Sequence, residues 1–95
     1  MPVYLVSYDL VKEKDGHDYA PLWDEMKRLG AHRTQYSAWL VNLNNTPKEV
    51  VEHFARFVDR DDRVMAVEML RGRYTFTKAN SGTNDWLKQN PARSL

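Results

Sequence analysis

The residue with the most chemical potential in this chain is Asp9, which ends an apolar run, Val3 to Asp9 (VYLVSYD). A carboxylate at the end of a central strand points into a crevice at the sheet edge, where it could hold Mg²⁺ beside phosphate oxygens. The same position also suits a loop cap, in which Asp9 accepts from backbone N–H groups just beyond it. One carboxylate is too few for a metal site, whereas two copies of the chain related by a dimer axis supply two. Arg33 stands at the start of a second strand-like segment, where a guanidinium could reach a phosphate with two parallel bonds or form a surface ion pair. Arg71 and Arg73 flank Gly72 and could present two cations on one turn or simply form a solvated hairpin turn.

Other chemistries find little support. Asp59, Asp61 and Asp62 are the densest acidic cluster, but their spacing lacks the glycine and terminal glutamate of a calcium loop and reads as a solvated turn. Glu13, Asp15 and Asp18 read as solvation of a loop. His17, His32 and His53 fit no zinc-ligand spacing, and His53, one turn from Glu49, is expected to be exposed. The absence of cysteine removes thiol nucleophiles, thiolate metal sites and disulfides. Ser7 and Ser37 lack a Gly-x-Ser-x-Gly elbow, and the four glycines are spread singly, so neither an acyl-transfer site nor a phosphate loop is expected.

These residues need a scaffold, and 95 residues supply one domain. A chain of this size buries roughly 60–65% of its unfolded surface, and 42% hydrophobic residues with three Trp, five Tyr and three Phe suffice for one modest core. The net charge of +1 excludes nucleic-acid binding through an overall basic field, so such contact must use a local patch. Met1 to Leu10 lacks a basic leader or cleavage site, and no apolar run approaches a membrane span. A cytoplasmic protein with no membrane partner is expected.

Tyr19, Leu22, Trp23, Met26 and Leu29 recur at helical spacing, with Asp18 as N-cap and Gly30 as the residue just past the end. His32 to Leu43 has strand composition but is long for one strand, which predicts a bend near Tyr36–Ser37. Thr46 and Glu49 fit a capping box with Pro47 at the first helical position, opening a second helix whose buried face is Val50, Val51, Phe54, Phe57 and Val58. Asp59 to Asp62 is a turn, Arg63 to Leu70 a strand, and Tyr74 to Thr77 a short last strand. Residues 78–95 form a less ordered extension in which Asp85, Trp86 and Leu87 anchor the tail and 90–95 fray.

This order predicts an α+β, ferredoxin-like βαββαβ sandwich with two helices on one face of an antiparallel sheet. The other face is left bare in a monomer, with residues such as Tyr4, Val6 and Tyr8, or Trp39 and Val41, turned to water. Burying that face against a second copy predicts a homodimer.

Three segments together resemble the CRISPR-associated Cas-two family. They are Val3 to Leu10 with its Tyr-Asp ending; Gly30 followed by Arg33-Thr34-Gln35-Tyr36-Ser37-Ala38-Trp39, similar to that family's Arg-x-Gln-x-Ser-x-aromatic strand; and Asp62-Arg63-Val64 at the start of the strand after the second helix. The likeness spans about residues 3–70 and is weaker in the tail; the chain also looks like a divergent SinR-like branch, with the virulence-associated protein D toxins sharing the architecture. It implies a ferredoxin-like homodimer in antiviral defence, described either as a metal-dependent RNA or DNA endonuclease or as the non-catalytic centre of spacer integration beside the CRISPR integrase subunit. It implies Asp9 as ligand to a shared Mg²⁺ or Mn²⁺, Tyr8 beside it, Arg33 near phosphate, and Trp39 in place of the usual phenylalanine, with Ser37 structural. Lys12 and Lys14 stand where that family usually has an arginine pair, and a nucleic-acid interface would draw on Arg33, Lys12, Lys14, Arg71 and Arg73.

Overall fold

The computed structural model describes residues 1–9 and 19–95. Lys12, Lys14 and Asp18, expected as interface cations and helix cap, lie outside the described residues. The elements are β1 (Val3–Asp9), α1 (Ala20–Arg28), β2 (His32–Gln35), β3 (Ala38–Asn42), α2 (Pro47–Ala55), β4 (Arg63–Met69) and α3 (Thr83–Gln89). The strands form one sheet in the order β2-β3-β1-β4, with every neighbouring pair antiparallel. The chain is therefore α+β with a ferredoxin-like βαββαβ arrangement, to which α3 is appended.

Local sequence explains most boundaries. The residue just before α1 is Tyr19, which supplies no side-chain cap, and Pro21 falls in the first turn. The helix ends where Gly30 adopts φ +72°, a left-handed conformation that costs glycine little. A two-residue turn at Tyr36 and Ser37 divides the long strand-like segment into β2 and β3, as its length predicts, with a register shift between Arg33 and Gln35. The Thr46 hydroxyl accepts from the Glu49 N–H at 3.2 Å while the Glu49 carboxylate accepts from the Thr46 N–H at 2.8 Å, completing the capping box. Phe57 and Val58 lie beyond α2 yet still pack on the core.

The core lies between α1, α2 and one face of the sheet. Tyr4, Val6 and Tyr8 from β1 and Trp39 and Val41 from β3 meet Leu22 and Met26 of α1 and Val50 and Phe54 of α2. Each fully buried aliphatic side chain contributes about 1.5–3 kcal/mol. The expectation that Tyr4, Val6, Tyr8, Trp39 and Val41 face water is thus reversed. Both parities of β1 are apolar, so period two alone could not choose the face; the helices take the aromatic set.

The helix-free face carries Leu5, Ser7 and Asp9, joined across the ladder by Arg63, Met65 and Val67. The C-terminal segment covers part of it. Tyr74 to Thr77 adds no strand, contrary to expectation; Tyr74, Thr75 and Phe76 instead line a cavity of about 270 Å³ together with Leu5 and Leu40, with the half-exposed Val67 at its rim. Residues 78–95, expected as a loose extension, contain α3, which is held by polar contacts. Thr83 donates its hydroxyl proton to the Asn80 carbonyl at 2.8 Å, so the His32 Nε2–H at 2.8 Å and the Thr34 hydroxyl at 3.1 Å donate to Thr83 Oγ1. Trp86 Nε1 donates to the Gly30 carbonyl at 2.9 Å, and Asn42 to Asn90 Oδ1 at 3.1 Å. The frayed end expected over 90–95 instead buries Ala92 and pairs Arg93 with Leu70. The Arg93 guanidinium grips Glu68 through two bonds of 2.6 and 2.7 Å.

Candidate functional site

Asp9 ends β1 on the helix-free face, paired in register with Arg63 at the start of β4. Arg63 Nη1 lies 3.2 Å from Asp9 Oδ2, and both side chains are well exposed, at 72% and 67%. An ion pair that open contributes at most about 1 kcal/mol, so a stronger ligand could displace it readily. The two residues line a shallow cleft of about 250 Å³ with Ser7, Tyr8, Val64 and Met65. Beside the cleft the sheet stays uncovered: Ser7 is exposed, Met65 is 63% exposed and Val67 50%. The sequence marks Arg63 as the start of a strand within Asp62-Arg63-Val64; its pairing with Asp9 depends on strand register, which the sequence does not spell out.

Tyr8 points the other way, into the core. Its hydroxyl oxygen accepts from Trp23 Nε1 at 2.8 Å and from Trp39 Nε1 at 3.3 Å, and its proton is directed at the Tyr36 carbonyl, 3.5 Å away. Tyr8 is 3% exposed and so holds the strand end in place rather than meeting a ligand. Tyr19 packs beside it with ring centroids 5.3 Å apart, and burial, followed by the neighbouring Tyr8, raises the Tyr19 hydroxyl above its usual pKa.

Arg33 is committed within the fold. Its Nε and Nη2 donate to the Tyr36 carbonyl at 3.0 and 2.6 Å, closing the β2–β3 turn, and its Cζ lies 4.7 Å from the Trp23 ring centroid and 5.1 Å from that of Tyr36. This turn belongs to the same sheet end as Asp9, because the Tyr8 N–H donates to the Ser37 carbonyl at 3.2 Å. Arg71 and Arg73 stand elsewhere. They follow the far end of β4, a strand length of roughly 20 Å from Asp9, on a turn closed by the Arg73 N–H and the Leu70 carbonyl at 2.9 Å. Of the described cations named as interface candidates, only Arg33 shares an end with Asp9.

No group of three or more His, Cys, Asp or Glu side chains that could hold a metal ion occurs among the described residues. Asp9 alone therefore offers a single carboxylate donor. Mg²⁺ is commonly held by one or two carboxylates plus waters, so Asp9 from each of two protomers would suffice.

Sequence reasoning missed a polar cluster between the two core-covering helices. Glu25 is 7% exposed and accepts from Arg28 through bonds of 2.6 and 2.7 Å and from His53 Nε2 at 2.5 Å. The Arg28 bonds hold the Glu25 carboxyl down at about 2 against the opposing effect of burial, with His53 assisting. His53, expected to be exposed, is therefore partly buried as an interhelical donor. Glu25 and Arg28 sit three residues apart on the helix surface and could have been paired from sequence; the partner 28 residues away could not.

The chain matches no protein-family model and no solved structure. Among the described residues no helix is long and apolar enough to cross a membrane.

Proposed function

We propose that the chain acts as a Cas-two-like homodimer in which Asp9 of each protomer holds one divalent cation, Mg²⁺ or Mn²⁺, for phosphodiester cleavage of RNA or DNA. The observation carrying this reading is one of parity. Asp9 lies on the same face as the uncovered strip of Ser7, Met65 and Val67 and at one end of it. Packing that strip against its twin about a two-fold axis near Ser7 brings both carboxylates towards the axis. The cation would lower the pKa of a bound water and offset phosphate charge. The protein's own contribution is to hold Asp9 at a strand end pinned by the buried Tyr8 hydroxyl, with Arg63 available to pair with a phosphate oxygen once Asp9 turns to the cation.

A second reading, a non-catalytic nucleic-acid-binding or scaffold dimer such as one beside a CRISPR integrase subunit, is favoured by two observations. Asp9 is already neutralised by Arg63, and the Arg33 guanidinium is spent on the Tyr36 carbonyl. One experiment separates the two. The purified protein, given labelled RNA and DNA with Mn²⁺ or Mg²⁺, is expected to cut at least one of them, and Asp9→Asn or a chelator to abolish cleavage while the dimer persists. Cleavage undiminished in Asp9→Asn removes Asp9 from the reaction. Salt-sensitive binding indifferent to both treatments selects the scaffold.

A further inference from the structure

The β2–β3 turn presents an aromatic ring to solvent. Tyr36 is 79% exposed, the most exposed aromatic among the described residues, yet it is firmly supported. Its carbonyl takes two bonds from Arg33, and the same guanidinium lies over both the Tyr36 and Trp23 rings. Trp23 in turn stacks on Tyr19, centroids 5.3 Å apart and planes 4° from parallel. Tyr19, Trp23, Arg33 and Tyr36 thus form a run of aromatic–aromatic and cation–aromatic contacts that starts at the core and ends in solvent. The turn adjoins the β1 end that bears Asp9.

The two bonds fix the Tyr36 backbone and the guanidinium backs its ring, so little freedom is lost when a planar partner stacks on the exposed side of that ring. We propose that Tyr36 is a stacking shelf for one unpaired base of a single-stranded nucleic acid. Arg33 supports the shelf from beneath and places positive charge close to the strand's phosphates. A base inside a duplex has both faces occupied and cannot use the shelf, so the site selects single strands, loops or frayed ends. The inference rests on the nucleic-acid reading above and narrows it to unpaired substrates.

The test is binding of a short single-stranded oligonucleotide, the same sequence as a duplex, and the single strand with abasic positions, by fluorescence anisotropy at low salt with chelator present. Tyr36→Ala is expected to weaken single-strand binding roughly five- to 100-fold, Tyr36→Trp to preserve it, and duplex and abasic binding to be nearly unmoved by either. Thermal melting of each variant separates lost stacking from lost fold. Equal affinity of Tyr36→Ala for the single strand, or an equal loss on duplex and abasic strands, overturns the shelf. Asp9-dependent cleavage with no Tyr36 effect defeats the shelf alone. A Tyr36 effect without cleavage defeats the nuclease reading alone, and no nucleic-acid binding at all defeats both.

Discussion

Glu25 repays attention at the scale of single residues because its environment converts directly into a pH dependence. Its carboxyl is lowered from the usual 4.5 to about 2 by the Arg28 bonds first and the His53 bond after them. A group depressed on folding stabilises the native state above its unfolded pKa, and that stability is lost as pH falls through the folded value. Urea unfolding should therefore find Glu25→Gln less stable than the parent by about 1–3 kcal/mol at pH 7, with the gap closing between about pH 4.5 and 2. A gap constant over that window would mean that the carboxylate's charge is not what the cluster uses. Glu25 illustrates how little of this cluster the sequence displays: its Arg28 contact is local, but its His53 contact exists only because two helices pack side by side. Asp9 is the opposite case, since a carboxylate closing an apolar run is visible in one segment, and only its pairing with Arg63 needed the fold.

Among the elements, α2 was the most legible because its start is written entirely in neighbouring residues. Thr46, Pro47 and Glu49 act on one another within a single turn, and every contact predicted there is present. Thr46→Ala should cost about 0.5–2 kcal/mol in urea denaturation, with unchanged strand content by circular dichroism. The division of residues 32–43 was likewise readable from length, and Gly30 from its position after the last apolar residue of α1. The face of β1 was not readable, because Val3 and Leu5 are as apolar as Val6, and the choice is made by two helices distant in sequence. The tail is hard to read from sequence for a related reason. Helix α3 offers little apolar periodicity and is fixed by hydrogen bonds that Trp86 donates to Gly30 and that Thr83 and Asn90 accept from Thr34 and Asn42.

For the whole molecule the deciding feature is a sheet whose second face is only half covered. The tail shields Leu5, Leu40 and Met69, Val67 stays half exposed at the rim of the same cavity, and Met65 remains open towards the Asp9 end. A single copy already encloses a buried core between its first two helices and the sheet. If the chain pairs through this face as proposed, Met65→Lys should shift it from dimer to monomer in analytical ultracentrifugation while leaving its melting cooperative. A variant that stays dimeric would place the subunit contact elsewhere and separate the two Asp9 side chains.

The placement of the three indoles gives the molecule two natural optical reporters. Trp23 and Trp39 both donate to Tyr8 and share the fate of the core, whereas Trp86 is tied to Gly30 and leaves its partner as soon as the last helix lifts away. Emission assigned to Trp86 by difference from a Trp86→Phe chain therefore follows detachment of that helix, and the remaining signal follows global unfolding, with no external dye needed to tell one event from the other.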